Sequence, residues 1–192
     1  MPADTADALL SAVERGLDAL APSAIITRRI AVEAGQSHGL IRYHFGSLEQ
    51  LMVRTLERAG ERILERQRAL YATDQPFIEK WRTAMAYVDA DVESDSFPKL
   101  AAELLALSWN DPAYRPAVQA MVDGFTVMLD EAVHAGLADY EVAIPDVEAI
   151  ATLIRTFQLG VLLERLAGVD TGHRALIAVI DAWLDALPRR SA

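Results

Sequence analysis

The densest run of groups able to do chemistry lies between Thr27 and Phe45: Thr-Arg-Arg-Ile-Ala-Val-Glu-Ala-Gly-Gln-Ser-His-Gly-Leu-Ile-Arg-Tyr-His-Phe. Arg28, Arg29 and Arg42 stand against Glu33 alone, with His38 and His44 beside them. Guanidinium, imidazole and hydroxyl groups are the donors that meet phosphate oxygens and base edges. Two short helical stretches around Gly35 have helix-turn-helix geometry, with Thr27 and Ser37 as their caps. Ile30, Ala31 and Ala34 form the inner face of the first, and Ile41 and Phe45 that of the second. The small Ala31 and Ala34 let the helices cross closely. Ser37, His38, Leu40, Arg42 and His44 are then left for a groove, and Gly39 permits close backbone approach. The free N–H groups behind Thr27 and Ser37 make a pair of phosphate clamps. An ordinary helical hairpin with a solvated arginine face shares this pattern, and spacing alone does not separate the two.

Other chemistries are poorly served. The chain has no Cys, which removes disulfides, thiolate metal sites and thiol nucleophiles together. His38, His44, His134 and His173 show no metal-ligand spacing. Asp89-x-Asp91-x-Glu93-x-Asp95 hints at a calcium loop, but Ser94 replaces the sharp-turn glycine and Leu100 the closing glutamate. A solvated acidic helix end explains that run better. No nucleophile elbow, zinc-protease, Walker or dinucleotide fingerprint occurs. The expectation is a non-enzyme without cofactor or metal.

The elements that must position the arginine-rich segment are helices throughout. A first helix spans roughly 4–20, with Leu9, Leu10, Val13, Leu17 and Leu20 on one face. Short helices follow over 27–34, closed by Gly35, and from Ser37 to near Gly46. Ser47 opens a long fourth helix over 47–70, with Gln50 at the capping-box position and Leu51, Met52, Leu56 and Ile63 on its apolar face. Five more run over 76–93, 97–109, 112–136, 145–168 and 172–187. Pro76, Pro98, Pro112 and Pro145 mark starts, and Gly136 and Gly168 mark stops. The fold class is all-α, with about nine helices. Arg54, Arg58, Arg62 and Arg66 beside Glu57, Glu61 and Glu65 read as a solvated, self-neutralising face of the fourth helix.

Charge is divided along the 192 residues. The net −10 resides wholly beyond residue 70, because residues 1–70 hold nine Arg and nine acidic residues. An acidic bulk excludes a nonspecific nucleic-acid coat and leaves a local reader open. No uncharged run approaches the roughly 18 residues of a membrane span, and no basic leader precedes an apolar stretch. A cytoplasmic protein without a membrane partner is expected.

Residues 9–52 resemble the N-terminal domain of the TetR/AcrR family of transcriptional regulators. The likeness rests on the apolar first helix and on Thr27, Ile30-Ala31, Ala34-Gly35, Ser37, Gly39, Ile41, Tyr43-His44-Phe45, Ser47, Glu49 and Leu51 in order. Departures are Leu48, where the family carries a phosphate-contacting Lys, Gln36 in place of a small apolar residue, and Arg42 in place of an aromatic. The resemblance implies a DNA-binding domain over 1–46 and an effector-binding and dimerisation domain over 47–192, joined by helix 47–70. It implies operator contacts from Thr27, Arg28, Gln36, Ser37, His38, Gly39, Leu40, Arg42, Tyr43 and His44. Arg28, His38 and Leu40 are the expected base readers, and Thr27, Arg42, Tyr43 and His44 the phosphate contacts.

It also implies a small-molecule effector among the C-terminal helices. Trp81, Met85, Trp109, Met121, Phe125 and Phe157 are candidate lining, although core packing accounts for the same residue types. Glu103 joins them as a polar candidate, with Tyr87, Arg155 and Gln158 as further orienters. The last two helices are apolar on more than one face. Ile150, Leu153 and Ile154 form one stripe, Leu159, Leu162, Leu163 and Leu166 another, and Ile180, Trp183 and Leu187 continue the surface. A four-helix dimer interface is expected there. The function these features suggest is a homodimeric, ligand-responsive repressor on a pseudo-palindromic operator. An activator, a ligand-independent regulator, or an all-α ligand-binding protein with an incidental helix-turn-helix remains open.

Overall fold

The computed structural model describes residues 2–19, 38–94, 97–138, 140–141 and 147–189. Within these residues the chain is helical, with no β-strand and one isolated antiparallel bridge between Tyr140 and Arg189. The helices are α1 (Pro2–Ala19), α2 (His38–Phe45), α3 (Leu48–Tyr71), α4 (Phe77–Ser94), α5 (Phe97–Asn110), α6 (Arg115–Leu137), α7 (Val147–Leu166) and α8 (His173–Asp185). The expected helix over 27–34, its Gly35 turn, and Thr27, Arg28, Gln36 and Ser37 lie outside the described residues.

Local chemistry sets the helix ends. Gly46 takes φ +79 and sends its N–H to the Arg42 carbonyl at 3.1 Å, closing α2 in a conformation that a side chain would strain. Ser47 Oγ then accepts the Gln50 N–H at 3.2 Å, which caps α3. Asp111 accepts the Ala113 N–H at 2.9 Å and opens a 3-10 turn, Pro112–Tyr114, before α6 begins. The single helix expected over 112–136 is therefore two elements. Gly168, at φ +78, follows the end of α7 as expected. Gly136 behaves differently: it sits in the last turn of α6, where an added Cβ would lie 2.0 Å from Phe77 Cδ2. Its role is to let an aromatic ring rest on the helix backbone.

The chain divides into two compact units. One comprises Met1–Arg62 with Asp91–Met121, the other Ile63–Ala90 with Val122–Ala192. In the first, Leu9, Ala12 and Val13 of α1 are buried, as are Ile41 of α2, Leu51 and Leu56 of α3, and Leu100 and Leu104 of α5. Each buried Leu, Ile or Val of this set contributes roughly 1.5–3 kcal/mol. α5 packs against α1 and the 3-10 turn. Polar contacts tie α1 to α3: Arg58 meets Glu14 at 2.9 Å and donates to Ser11 Oγ at 3.3 Å, and Arg62 meets Glu14 at 3.4 Å. The arginine stripe is thus not a uniformly self-neutralising face. Arg54 shows the expected intrahelical pair, with Glu57 at 2.8 Å, and Arg66 lies over the Tyr87 ring at 4.4 Å. The acids on α1 fall at the spacing that faces α3, so Arg58 and Arg62 turn to them.

In the second unit Phe77, Ile78, Trp81, Met85, Val133, Leu137, Tyr140 and Leu184 form one core cluster. Met128, Leu129 and Ala151 form another, and Tyr71 and Ile154 pack against both. Among the described residues no helix is long and apolar enough to cross a membrane.

Candidate functional site

Helix α2 offers one side to the protein and another to solvent. Ile41 is 1% exposed and anchors the inner side. Gly39, Arg42 and Tyr43, at i, i+3 and i+4, share the opposite face, and all three are exposed, Tyr43 by 79%. Leu40 and His44, one turn apart on the flank, are half-buried, and the Tyr43 and His44 rings meet edge-on with centroids 4.9 Å apart. An added Cβ at Gly39 would meet nothing within 4 Å, and its φ is not positive. Neither packing nor backbone conformation requires glycine there. Bare backbone at this exposed position leaves room for close approach by an external surface. A helix with a guanidinium, a phenol and bare backbone on its free side can hold phosphates and approach base edges.

This helix is held firmly. Gly46 and Ser47 link it to α3 in two residues, and α3 is buried at Leu51, Thr55, Leu56 and Ala59. Thr55 Oγ1 donates to the Leu51 carbonyl at 2.8 Å, so its hydroxyl is satisfied inside the helix. In the same unit Tyr114 is buried, and burial, with the charges of Glu49 and Asp111, raises its phenol pKa and keeps it neutral.

The second unit contains a cavity of about 400 Å³ between α4, α6, α7 and α8. Phe77, Trp81, Val133 and Leu137 form one wall. Ile150, Leu153, Ile154 and Phe157 of α7 form another, and Leu176, Ile180, Trp183 and Leu184 of α8 the third. Trp81 and Phe157 stack with ring centroids 6.4 Å apart and planes 27° apart. Every lining side chain is apolar or aromatic.

The effector candidates scatter accordingly. Trp81 and Phe157 line the cavity, and Met85 is buried in the cluster containing Trp81. Phe125 packs on the second cluster. Glu103, Trp109 and Met121 belong to the first unit, and Trp109 is exposed. Of the dimer candidates, Ile150, Leu153, Ile154, Ile180 and Trp183 line the cavity, Leu153 and Trp183 while largely exposed. Leu187 packs on the core, and Leu159, Leu162, Leu163 and Leu166 are half-buried. Phe77, Val133 and Leu137 were not among the sequence candidates, whereas Leu176 and Leu184, apolar neighbours of Trp183 on the last helix, line the cavity with it. The Phe77/Trp81 and Val133/Leu137 pairs at i, i+4 were the available signal. No group of acidic or histidine side chains among the described residues is arranged to hold a metal.

No protein-family model matches the chain, and no curated protein does. Solved structures do. A TetR-family transcriptional regulator from Agrobacterium tumefaciens superposes with TM-score 0.74 at 17% identity, over 98% of this chain and 100% of that one. FadR from Bacillus subtilis, solved with stearoyl-CoA, superposes with TM-score 0.71 at 16% identity, over 93% and 97%. Escherichia coli NemR does so with TM-score 0.70 at 16% identity, over 98% and 100%. The chain has the TetR-family fold. The coverage includes both compact units, so the TetR fold accounts for the helix order from α1 to α8.

Proposed function

We propose that the chain is a TetR-type transcriptional regulator and not an enzyme: a cytoplasmic homodimer that binds a pseudo-palindromic operator and is released by a small, largely apolar effector. The observation that carries this reading is α2, anchored by buried Ile41 and presenting Gly39, Arg42 and Tyr43 outward. Two such helices related by a two-fold axis would enter successive major grooves. Thr27, Arg28, Gln36, Ser37 and His38 extend the proposed contact set, with residues 1–46 as the DNA-binding domain and 47–192 as the effector and dimerisation domain.

The acidic bulk supports a single docking orientation, because it repels DNA from every surface except the reader. The proposed effector site is the apolar cavity, and α3 is the connecting element: it starts at the Ser47 cap beside α2 and ends at Tyr71, which packs on both apolar clusters. A ligand alters operator affinity only by binding one arrangement of the readers better than another. The test is salt-dependent binding of the purified protein to the DNA upstream of its own gene, with loss of binding in a folded Arg42→Ala/Tyr43→Ala variant.

A further inference from the structure

Three aromatic rings in succession run from the outward face of α2 toward its anchored side. Tyr43 is exposed, while His44 and Phe45 are half-buried. The Tyr43 and His44 rings meet edge-on, with planes 88° apart, and His44 leans on Phe45 with centroids 6.4 Å apart and planes 54° apart. Neither the phenol of Tyr43 nor the imidazole of His44 makes a hydrogen bond or ion pair among the described residues. Helical spacing separates the two rings in direction. Each residue turns the helix by about 100°, so His44 lies about 100° round from Tyr43 and only about 60° from buried Ile41. The imidazole therefore stands beside the Tyr43 ring and away from the face that Gly39, Arg42 and Tyr43 share.

We infer that His44 is a positioning residue of the reading helix: its ring, backed by Phe45, holds the Tyr43 phenol in an outward conformation before DNA arrives, and His44 itself makes no phosphate contact. This rests on the regulator reading above, and it gives a new role to a residue expected among the phosphate contacts.

The reason is preorganisation. An exposed tyrosine without neighbours exchanges among staggered side-chain conformations. A phosphate contact that needs one of them is weakened by the fraction of time spent in the others. A ring edge against a ring face narrows that choice, because the positive rim of one ring is attracted to the negative face of the other. Phe45 limits the swing of the imidazole in turn, so the support extends from the exposed ring to the half-buried side of the helix. The Tyr43 hydroxyl, engaged by nothing among the described residues, stays available to a phosphate oxygen. What Tyr43 takes from its neighbour is aromatic surface, which phenylalanine also supplies; a phosphate contact would instead need the imidazole nitrogens.

The experiment is fluorescence anisotropy of labelled DNA from upstream of the chain's own gene, titrated with the full chain and its variants over a salt series. Circular dichroism checks that each variant is folded. His44→Ala should weaken binding about fivefold and leave the log–log salt slope unchanged, since no phosphate loses a partner. His44→Phe should restore binding to within about twofold of the wild type. In a Tyr43→Ala background, His44→Ala should add almost nothing, because it acts through that ring. A slope smaller by about one in His44→Ala would make the imidazole a phosphate contact and overturn the inference. So would a folded His44→Phe as weak as His44→Ala, or a His44→Ala effect of equal size with and without Tyr43. Should His44→Ala fail to fold, His44→Phe decides alone: wild-type affinity and slope support the inference, and a weaker complex overturns it. These failures leave the regulator standing. A wild-type chain that does not bind at low salt overturns the regulator reading itself, and the inference with it.

Discussion

The indole N–H of Trp81 donates to Asp181 Oδ1 at 3.0 Å, joining residues one hundred positions apart. The bond docks α8 on α4 and fixes which side of the indole faces the cavity. Trp81→Phe keeps most of the apolar bulk and loses the bond. Unfolding by urea should show a loss of about 1 kcal/mol with an unchanged m-value. An unchanged midpoint would mean that Asp181 is held by Arg82 alone.

Gly136 and Phe77 are in closer contact than any other residue would allow. Gly136→Ala should destabilise the chain by about 2 kcal/mol, because the ring is buried and cannot swing away. Adding Phe77→Leu should recover part of that loss in a double-mutant cycle. Strictly additive effects would show that the two sites do not share the strain.

Glu14 accepts from both Arg58 and Arg62 and is only one-fifth exposed. Glu14→Gln should cost about 1 kcal/mol, less at high salt, and chemical denaturation at two ionic strengths checks this. Equal losses at both salt concentrations would point to packing in place of charge.

Burial raises the Tyr71 pKa from 10.0 to about 12. A raised phenol pKa means that the folded state favours the neutral form, so the associated stability is complete below pH about 10 and is lost as pH rises to about 12. Tyr71→Phe should flatten this part of the alkaline stability curve, leaving the smaller share due to Tyr114. A wild-type and variant pair with identical slopes there would contradict the assignment.

Several features were legible because their chemistry is local. The end of α2 and the start of α3 depend on Gly46 and Ser47 themselves, and both were readable from residue type. The outward set on α2 was legible only in part: Arg42 is exposed as expected, but Leu40 and His44, expected to face a groove, are half-buried on the flank, and Tyr43 joins Arg42 on the exposed face. Long-range pairing was not legible. Arg58 and Arg62 both reach Glu14 on α1, a pairing that depends on how two helices meet. The cavity was half visible: Trp81 and Phe157 were singled out, but exposed Trp109 was too, because residue type does not tell lining from core or surface. Gly136 read as a helix stop because its partner Phe77 lies far along the chain. The stripes on α7 and α8 read as a dimer face, and the structure adds that Leu153 and Trp183 also border a cavity.

The central claim is that α2 reads DNA, and the most direct measurement is fluorescence anisotropy of labelled upstream DNA titrated with the chain across a series of salt concentrations. Tight binding at low salt is expected, with a log–log slope set by the number of neutralised phosphates. Arg42→Ala should reduce that slope by about one, since a single phosphate then keeps its counterion, and Arg42→Ala/Tyr43→Ala should abolish specific binding while the circular dichroism stays helical. Absence of binding at low salt, or a folded double variant that binds as wild type does, would contradict it.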